Sequence, residues 1–297
     1  MSQQSQVSAF LRAATLTREQ IDKFLDPHVS SWAKFDKELG YVPSDCKVPD
    51  NIDGALSEYR YGEHGERLLV NYADRPVRIN TYGNSFTQCH QVSDGETWQE
   101  VLAAHFGEPI RNFGVGGYGV YQAITRLRRT EATDAGVDFI ILNIYLDDHY
   151  RSLDAYRLLR VGEWLRDYDE TLSTSMFHAN PWDHVRVDQA TGDLNVYRNA
   201  CPTPESLYQL CDSDFVVEQF ADDFVVSKQA RAARPRRRHR PCAARRSRGP
   251  CVSGGDPHAA AGGRSRARAL LDDSSRRRVE FRTRSPRRRG HRGPRWS

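Results

Sequence analysis

Ser85 lies in the stretch TYGNSFTQCHQ, Thr81–Gln91, between a strand-like run, VRINTY, and a segment with helical periodicity, QVSDGETWQEVLAAHFG. A nucleophilic serine needs an exposed hydroxyl, backbone donors for an oxyanion and a nearby base. A tight strand-to-helix corner supplies the first two, because the first N–H groups of a helix have no partner within it. Gly83 lets the backbone approach closely there. G-x-S alone is common, and the plain alternative is that Ser85 only caps the helix. Further on, GVGGYG places Gly114, Gly116, Gly117 and Gly119 at the opening of another helical segment, which reads as a flexible turn or as a loop of backbone donors. Asp147, Asp148 and Asp154 follow a third strand-like run, VDFIILNIYL, and read by themselves as loop and cap carboxylates. His90, His105, His149, His178 and His184 show no H-x-x-x-H or H-E-x-x-H spacing and read as surface or packing residues. Cys89, four residues after Ser85, reads as a small buried side chain on the same helix face rather than a redox thiol.

The elements that must position these residues alternate. VRINTY, IRNFGV and VDFIILNIYL read as strands, and SDGETWQEVLAAHF and YGVYQAITRLRRT as the helices between them. The third strand is almost wholly apolar, as in a parallel sheet buried on both faces. The expected class is α/β: a three-layer α/β/α sandwich with a mostly parallel, flavodoxin-like sheet, incomplete at its C-terminus. In such folds functional residues gather at the carboxyl ends of the strands, where GNS, GVGGYG and DDH all fall. Residues 1–70 read as a helical and hairpin extension, 71–228 as the α/β domain and 229–297 as a tail. Thr17 is expected to cap the helix in TREQIDKFLDPHV, and Gly62–Gly65 to turn a hairpin. FDKELGYVPSD reads as turn-rich, SLDAYRLLRVGEWL as a helix, and HVRVDQATGDLNVY as a hairpin turning at Thr191–Asp193. Thr203 and Pro204 are expected to start a helix in TPESLYQLCDSDFVVEQFADDFVVSKQ.

NTYGNSFTQCHQVSDGETWQEVLAAHFG, followed by IRNFGVGGYGVYQAITRL, resembles the first two blocks of the SGNH/GDSL hydrolase superfamily, and FDKELGYVP resembles the lead-in of one of its branches. The resemblance covers about residues 35–151. It implies an ester hydrolase in which Ser85 is the nucleophile and lends its own N–H to the oxyanion hole, while Gly117 lends a second. It also places Asp147 where that family carries a donor asparagine, in a Y-L-D-D that departs from G-x-N-D. An ionised carboxylate there would repel a developing oxyanion, so Asp147 serves only if protonated or if it positions another group such as His149. Asn84 replaces the aspartate of G-D-S, a mild change at a tight turn. No cofactor and no metal are implied. The substrate class is a small-molecule, glycan or lipid ester; the alternatives are a non-catalytic ligand-binding relative and, ranked below it, a nucleic-acid-binding protein acting through its Arg-rich tail.

The same family closes on D-x-x-H, which returns a histidine to the serine. Here the nearest match, Asp256-Pro257-His258, is one residue short and lies in a run with no strand or helix pattern. Residues 229–297 hold 22 arginines, four acidic residues and no Lys, Ile, Tyr, Asn or Met, a balance of +18 against −14 for the rest. The overall charge of +4 describes neither part. Such a tail is expected to be disordered, since it has too little apolar surface to offset chain ordering, and to adsorb to nucleic acid nonspecifically. Without a final strand and its covering helix, the sheet is expected to expose an edge and an apolar patch. No apolar run reaches the roughly 20 residues of a membrane span, and no basic-then-apolar leader opens the chain. Six scattered cysteines without a C-x-x-C pair fit a reducing cytoplasm.

Our hypothesis is that the tail is a frameshifted reading of a GC-rich gene, since its dominant residues have GC-rich codons. Resequencing the locus around Lys228 is expected to give a shifted frame with strand, helix and D-x-x-H. A frame that restores none of them rules the hypothesis out.

Overall fold

The structure is a computed structural model that describes residues 3–49, 56–161, 180–188 and 190–226. The chain divides into two contact units, Met1–Arg238 and His239–Ser297, and the second lies wholly outside the described residues, as does the tail read from the sequence.

Two helices open the chain, α1 (Gln3–Arg12) and α2 (Arg18–Leu25). The second starts where the sequence places its cap. Thr17 Oγ1 accepts the Gln20 N–H at 3.2 Å while Gln20 Oε1 accepts the Thr17 N–H at 2.9 Å, a reciprocal box that satisfies two donors at once. The segment expected to be turn-rich instead forms a hairpin, β1 (Ala33–Asp36) with β2 (Gly40–Pro43). Its turn is set by Asp36, whose Oδ1 accepts the N–H groups of Glu38 and Leu39 at 3.0 and 2.9 Å. The expected hairpin at Gly62–Gly65 is a single bridge, Tyr61 to Arg67, because the strand before it, β4 (Leu56–Tyr59), is committed to β3 (Cys46–Pro49).

The alternating units follow. Strands β5 (Ile79–Tyr82), β6 (Ile110–Asn112) and β7 (Phe139–Leu142) form a parallel sheet in the order β6-β5-β7. Between and after them lie α3 (Ser85–Gln88), α4 (Trp98–Phe106), α5 (Val120–Glu131) and α6 (Leu146–Arg151). The chain is thus α/β, with one small parallel sheet and three two-stranded antiparallel ones among the described residues. The central strand is polar, and its buried side-chain donors are paired. Gln99 of α4 donates to Thr81 Oγ1 at 3.0 Å, and Asn80 and Tyr82 donate to Glu131 Oε1 of α5 at 2.8 and 2.6 Å. Burying these groups is tolerable because each finds a partner.

Beyond α6 the segment expected to be a helix from Ser152 is not helical over residues 152–157, and residues 162–179 lie outside the described residues, His178 among them. The hairpin β8 (His184–Val187) with β9 (Leu194–Tyr197) forms as expected. The helix expected from Thr203 is broken in two. A 3-10 segment, Glu205–Cys211, ends at Asp212, whose side chain accepts the Asp214 N–H at 2.8 Å and so caps a new helix, α7 (Ser213–Phe220). An aspartate that caps a new turn stops the preceding one.

The main buried cluster joins the N-terminal helices, the glycine loop and the C-terminal elements: Leu11, Ile21, Trp32, Tyr41, Tyr118, Tyr156, Leu207 and Phe220 belong to it. β7 lies apart. As the edge of its sheet it leaves Phe139, Ile140 and Ile141 at 53, 45 and 42% exposure, so consecutive residues on both faces meet solvent. Burial on both faces is therefore not found, whereas the exposed edge and apolar patch are. No described helix is long and apolar enough to cross a membrane.

Uncovered apolar edges template aggregation, and a lysine on the edge blunts it. Ile140→Lys is expected to slow heat-induced aggregation, followed by light scattering. Unchanged aggregation would place its origin elsewhere.

Candidate active site

β5 delivers Gly83, Asn84 and Ser85 to the corner. Asn84, not Ser85, is the cap: its Oδ1 accepts the Phe86 N–H at 2.9 Å and its main-chain oxygen accepts those of Thr87 and Gln88. Ser85 is therefore the first helical residue, half-buried, with its hydroxyl free for another role. Neither that hydroxyl nor the Ser85 N–H makes a hydrogen bond among the described residues. α3 lasts four residues and ends at Cys89, which adopts left-handed backbone at φ 57°. The half-buried Cys89 is thus a helix cap rather than a residue on the helix face, and burial raises its thiol pKa.

Asn84 also ties the corner to α6. Its Nδ2 donates to Asp148 Oδ2 at 2.7 Å, and that same oxygen accepts the Tyr145 N–H at 2.9 Å. Asp148 Oδ1 pairs with Arg151 at 3.3 Å. Asp147, the residue placed at this site by the resemblance, is differently engaged: its carboxylate pairs with Arg151 at 2.8 Å and Arg160 at 3.3 Å. His149 is exposed on the same helix. The carboxylate brought to the corner is the second of the Asp-Asp pair. A buried amide at position 84 needing an acceptor is the signal that points to it.

The glycine loop is pinned against α3. Gly114 packs so close that a methyl group there would overlap the Gln88 amide nitrogen and lie 2.6 Å from the Thr87 carbonyl carbon. Six of the seven backbone N–H groups from Phe113 to Gly119 donate a hydrogen bond, among them Val115 to Gly83 O at 3.0 Å and Gly116 to Gln88 Oε1 at 2.6 Å. The exception is the N–H of Gly117, which makes none among the described residues. Gly117 is buried, with φ +83°, a conformation glycine adopts without strain. The carbonyls beside it are held: Tyr41 OH donates to Gly116 O at 2.8 Å and Arg157 Nη1 to Gly117 O at 2.9 Å. Gln88, Tyr41 and Arg157 are the supporting residues that sequence reasoning missed. Tyr41 lay in a segment read as turn, and Arg157 in a helix read as continuous. Buried N–H groups are seldom left unpaired, so the Gly117 N–H, with the half-buried first-turn N–H of Ser85 on the adjoining segment, marks a place able to receive an acceptor.

Ser85 and the loop are neighbours. A methyl on Gly116 would lie 3.9 Å from Ser85 Cβ and 3.6 Å from His90 Cδ2. His90 is half-buried between Trp32 and Tyr59, and burial with the Arg67 charge lowers its pKa, keeping the ring neutral. No imidazole nitrogen is hydrogen-bonded to Ser85 among the described residues. Asp256 and His258 lie outside them.

No family model matches the chain, and no curated protein and no solved structure matches it either.

The Asn84–Asp148 bond joins two buried groups, one of them charged. In a double-mutant cycle, Asn84→Ala and Asp148→Ala are expected to couple by roughly 1–3 kcal/mol in urea unfolding. Additive losses would show that the bond does not hold the corner to α6.

Proposed function

We propose that the chain is an SGNH-type serine hydrolase of carboxylic esters, weakened by the loss of its general base. The observation that carries this reading is the pair of unsatisfied N–H groups, at Ser85 and Gly117, on the two segments that meet beside the Ser85 side chain. The proposed course is acyl transfer. Ser85 Oγ attacks the ester carbonyl carbon, its proton passing to a base or to water. The carbonyl oxygen becomes an oxyanion that accepts both N–H bonds, the alcohol leaves, and water then cleaves the acyl-serine ester. Donors already fixed where charge develops contribute without reorganisation, and one such donor is worth about 10²–10³ in rate.

The three-layer architecture belongs to the same proposal. Adjacent strand residues point to opposite faces. Thr81 meets α4 while Asn80 and Tyr82 meet α5, which supports helices on both faces of β5. The D-x-x-H block of the family has no counterpart in this sequence, so only the catalysis due to the oxyanion hole and binding remains, about 10³–10⁴ over water in well-studied serine hydrolases.

A second reading is a non-catalytic relative that keeps the pocket as a ligand site. It draws on Asp147, whose carboxylate is occupied by Arg151 and Arg160 where the family carries a donor. Activity separates the two. Slow hydrolysis of p-nitrophenyl acetate is expected, with Ser85→Ala abolishing the acyl-enzyme seen by intact mass. Turnover that survives Ser85→Ala, or its complete absence together with failure of a phosphonate to label Ser85, would overturn the enzymatic reading.

A further inference from the structure

We infer that Tyr41 is a positioning residue for the oxyanion donor, its hydroxyl fixing and polarising the one peptide unit whose N–H the loop leaves for substrate. The inference rests on the acyl-hydrolase reading and extends it to a residue far from the corner in sequence. The Gly116 carbonyl and the Gly117 N–H belong to a single planar peptide. Tyr41 OH donates to that carbonyl at 2.8 Å. A donor placed on the oxygen draws electron density from the nitrogen and makes the N–H at the far end of the same unit a stronger donor, the cooperativity expected of chained hydrogen bonds.

The hydroxyl is itself held in place. Tyr41 is fully buried in β2, edge-on to Trp32 at 5.3 Å and to Tyr118 at 5.4 Å between ring centres. Tyr118 OH reaches back to Tyr41 O at 2.5 Å. Burial pushes the Tyr41 phenol up to about 12, so it stays a donor across the working range of an esterase. From the other side Gln88 Oε1 takes the Gly116 N–H at 2.6 Å, so the residue before the donor is held at both its N–H and its carbonyl. Gly117 has no room for a side chain: a methyl there would lie 2.7 Å from Tyr41 OH and 3.3 Å from Arg157 Cζ. The hairpin of β1 and β2 therefore serves as the mooring of the oxyanion loop, and its phenol is the point of attachment.

The test compares the full chain with Tyr41→Phe, following kcat and KM for p-nitrophenyl acetate and the rate at which diethyl p-nitrophenyl phosphate labels Ser85. Both kcat and the labelling rate are expected to fall about 10- to 100-fold with KM changed less than about twofold, the size typical of groups that orient a reacting one. A lower melting temperature with kcat and labelling unchanged would show a purely structural tyrosine and overturn the inference. Should Tyr41→Phe not fold, 3,5-difluorotyrosine at position 41 keeps ring and hydroxyl while strengthening the donor. A faster kcat supports the inference, and an unaltered one overturns it. A parent chain that neither turns over ester nor labels at Ser85 fails at the hydrolase reading itself, and the inference falls with it.

Discussion

The contact on which the rest depends is one backbone laid against another. Gly114 sits on the Thr87–Gln88 peptide with no space for a side chain, and this closeness lets Gln88 reach the Gly116 N–H and Val115 reach Gly83 O. Loop and corner become one unit, with donors whose positions are set by main chain rather than by flexible side chains. An arrangement of that kind suits charge stabilisation, where displacement of a donor by a fraction of an ångström costs rate.

Around that unit the corner is braced by buried charge pairs. Arg67 pairs with Asp94 at 2.8 Å and donates to the carbonyls of Gln88 and Val92, bracing the segment that leaves α3. Asp148 and Asp154 are likewise buried, with Arg151 and Arg160 as their partners. Such pairs add little over well-packed apolar residues, but removing one partner leaves a buried charge and costs about 3–5 kcal/mol. The corner is consequently specified by a set of mutually dependent groups, which explains why the residues around Ser85 are polar although they are buried.

Much of this was legible in the sequence. Thr17 capped α2, the hairpin turned at Thr191–Asp193, and the strand–helix alternation indicated the parallel pairing of β5, β6 and β7, because local signals of capping, turn chemistry and periodicity decide those features. What escaped was decided by partners distant in the chain. Ser85 and Asn84 both suit an N-cap, and the choice between them turns on Asp148, 64 residues away. Asp147 and Asp148 are indistinguishable by type, yet helix geometry points one at Asn84 and the other at Arg160. Tyr41 carries no chemical signature at all until Gly116 is seen beside it.

Two features of the chain would share a cause on the hydrolase reading. β7 has the composition of a strand covered on both faces, yet Phe139, Ile140 and Ile141 face solvent. Ser85 has donors beside it and no imidazole bonded to it among the described residues. In a doubly covered parallel sheet the element after the last described helix would answer both needs, as a strand along β7 and a loop returning to the corner. The sequence at that point, residues 229–297, offers 22 arginines and no isoleucine or tyrosine, which neither pair well as a buried strand nor pack against one. On the hydrolase reading, a single change of composition near Lys228 would account for an uncovered edge and an unassisted serine together, whereas independent losses would have to coincide at the same boundary.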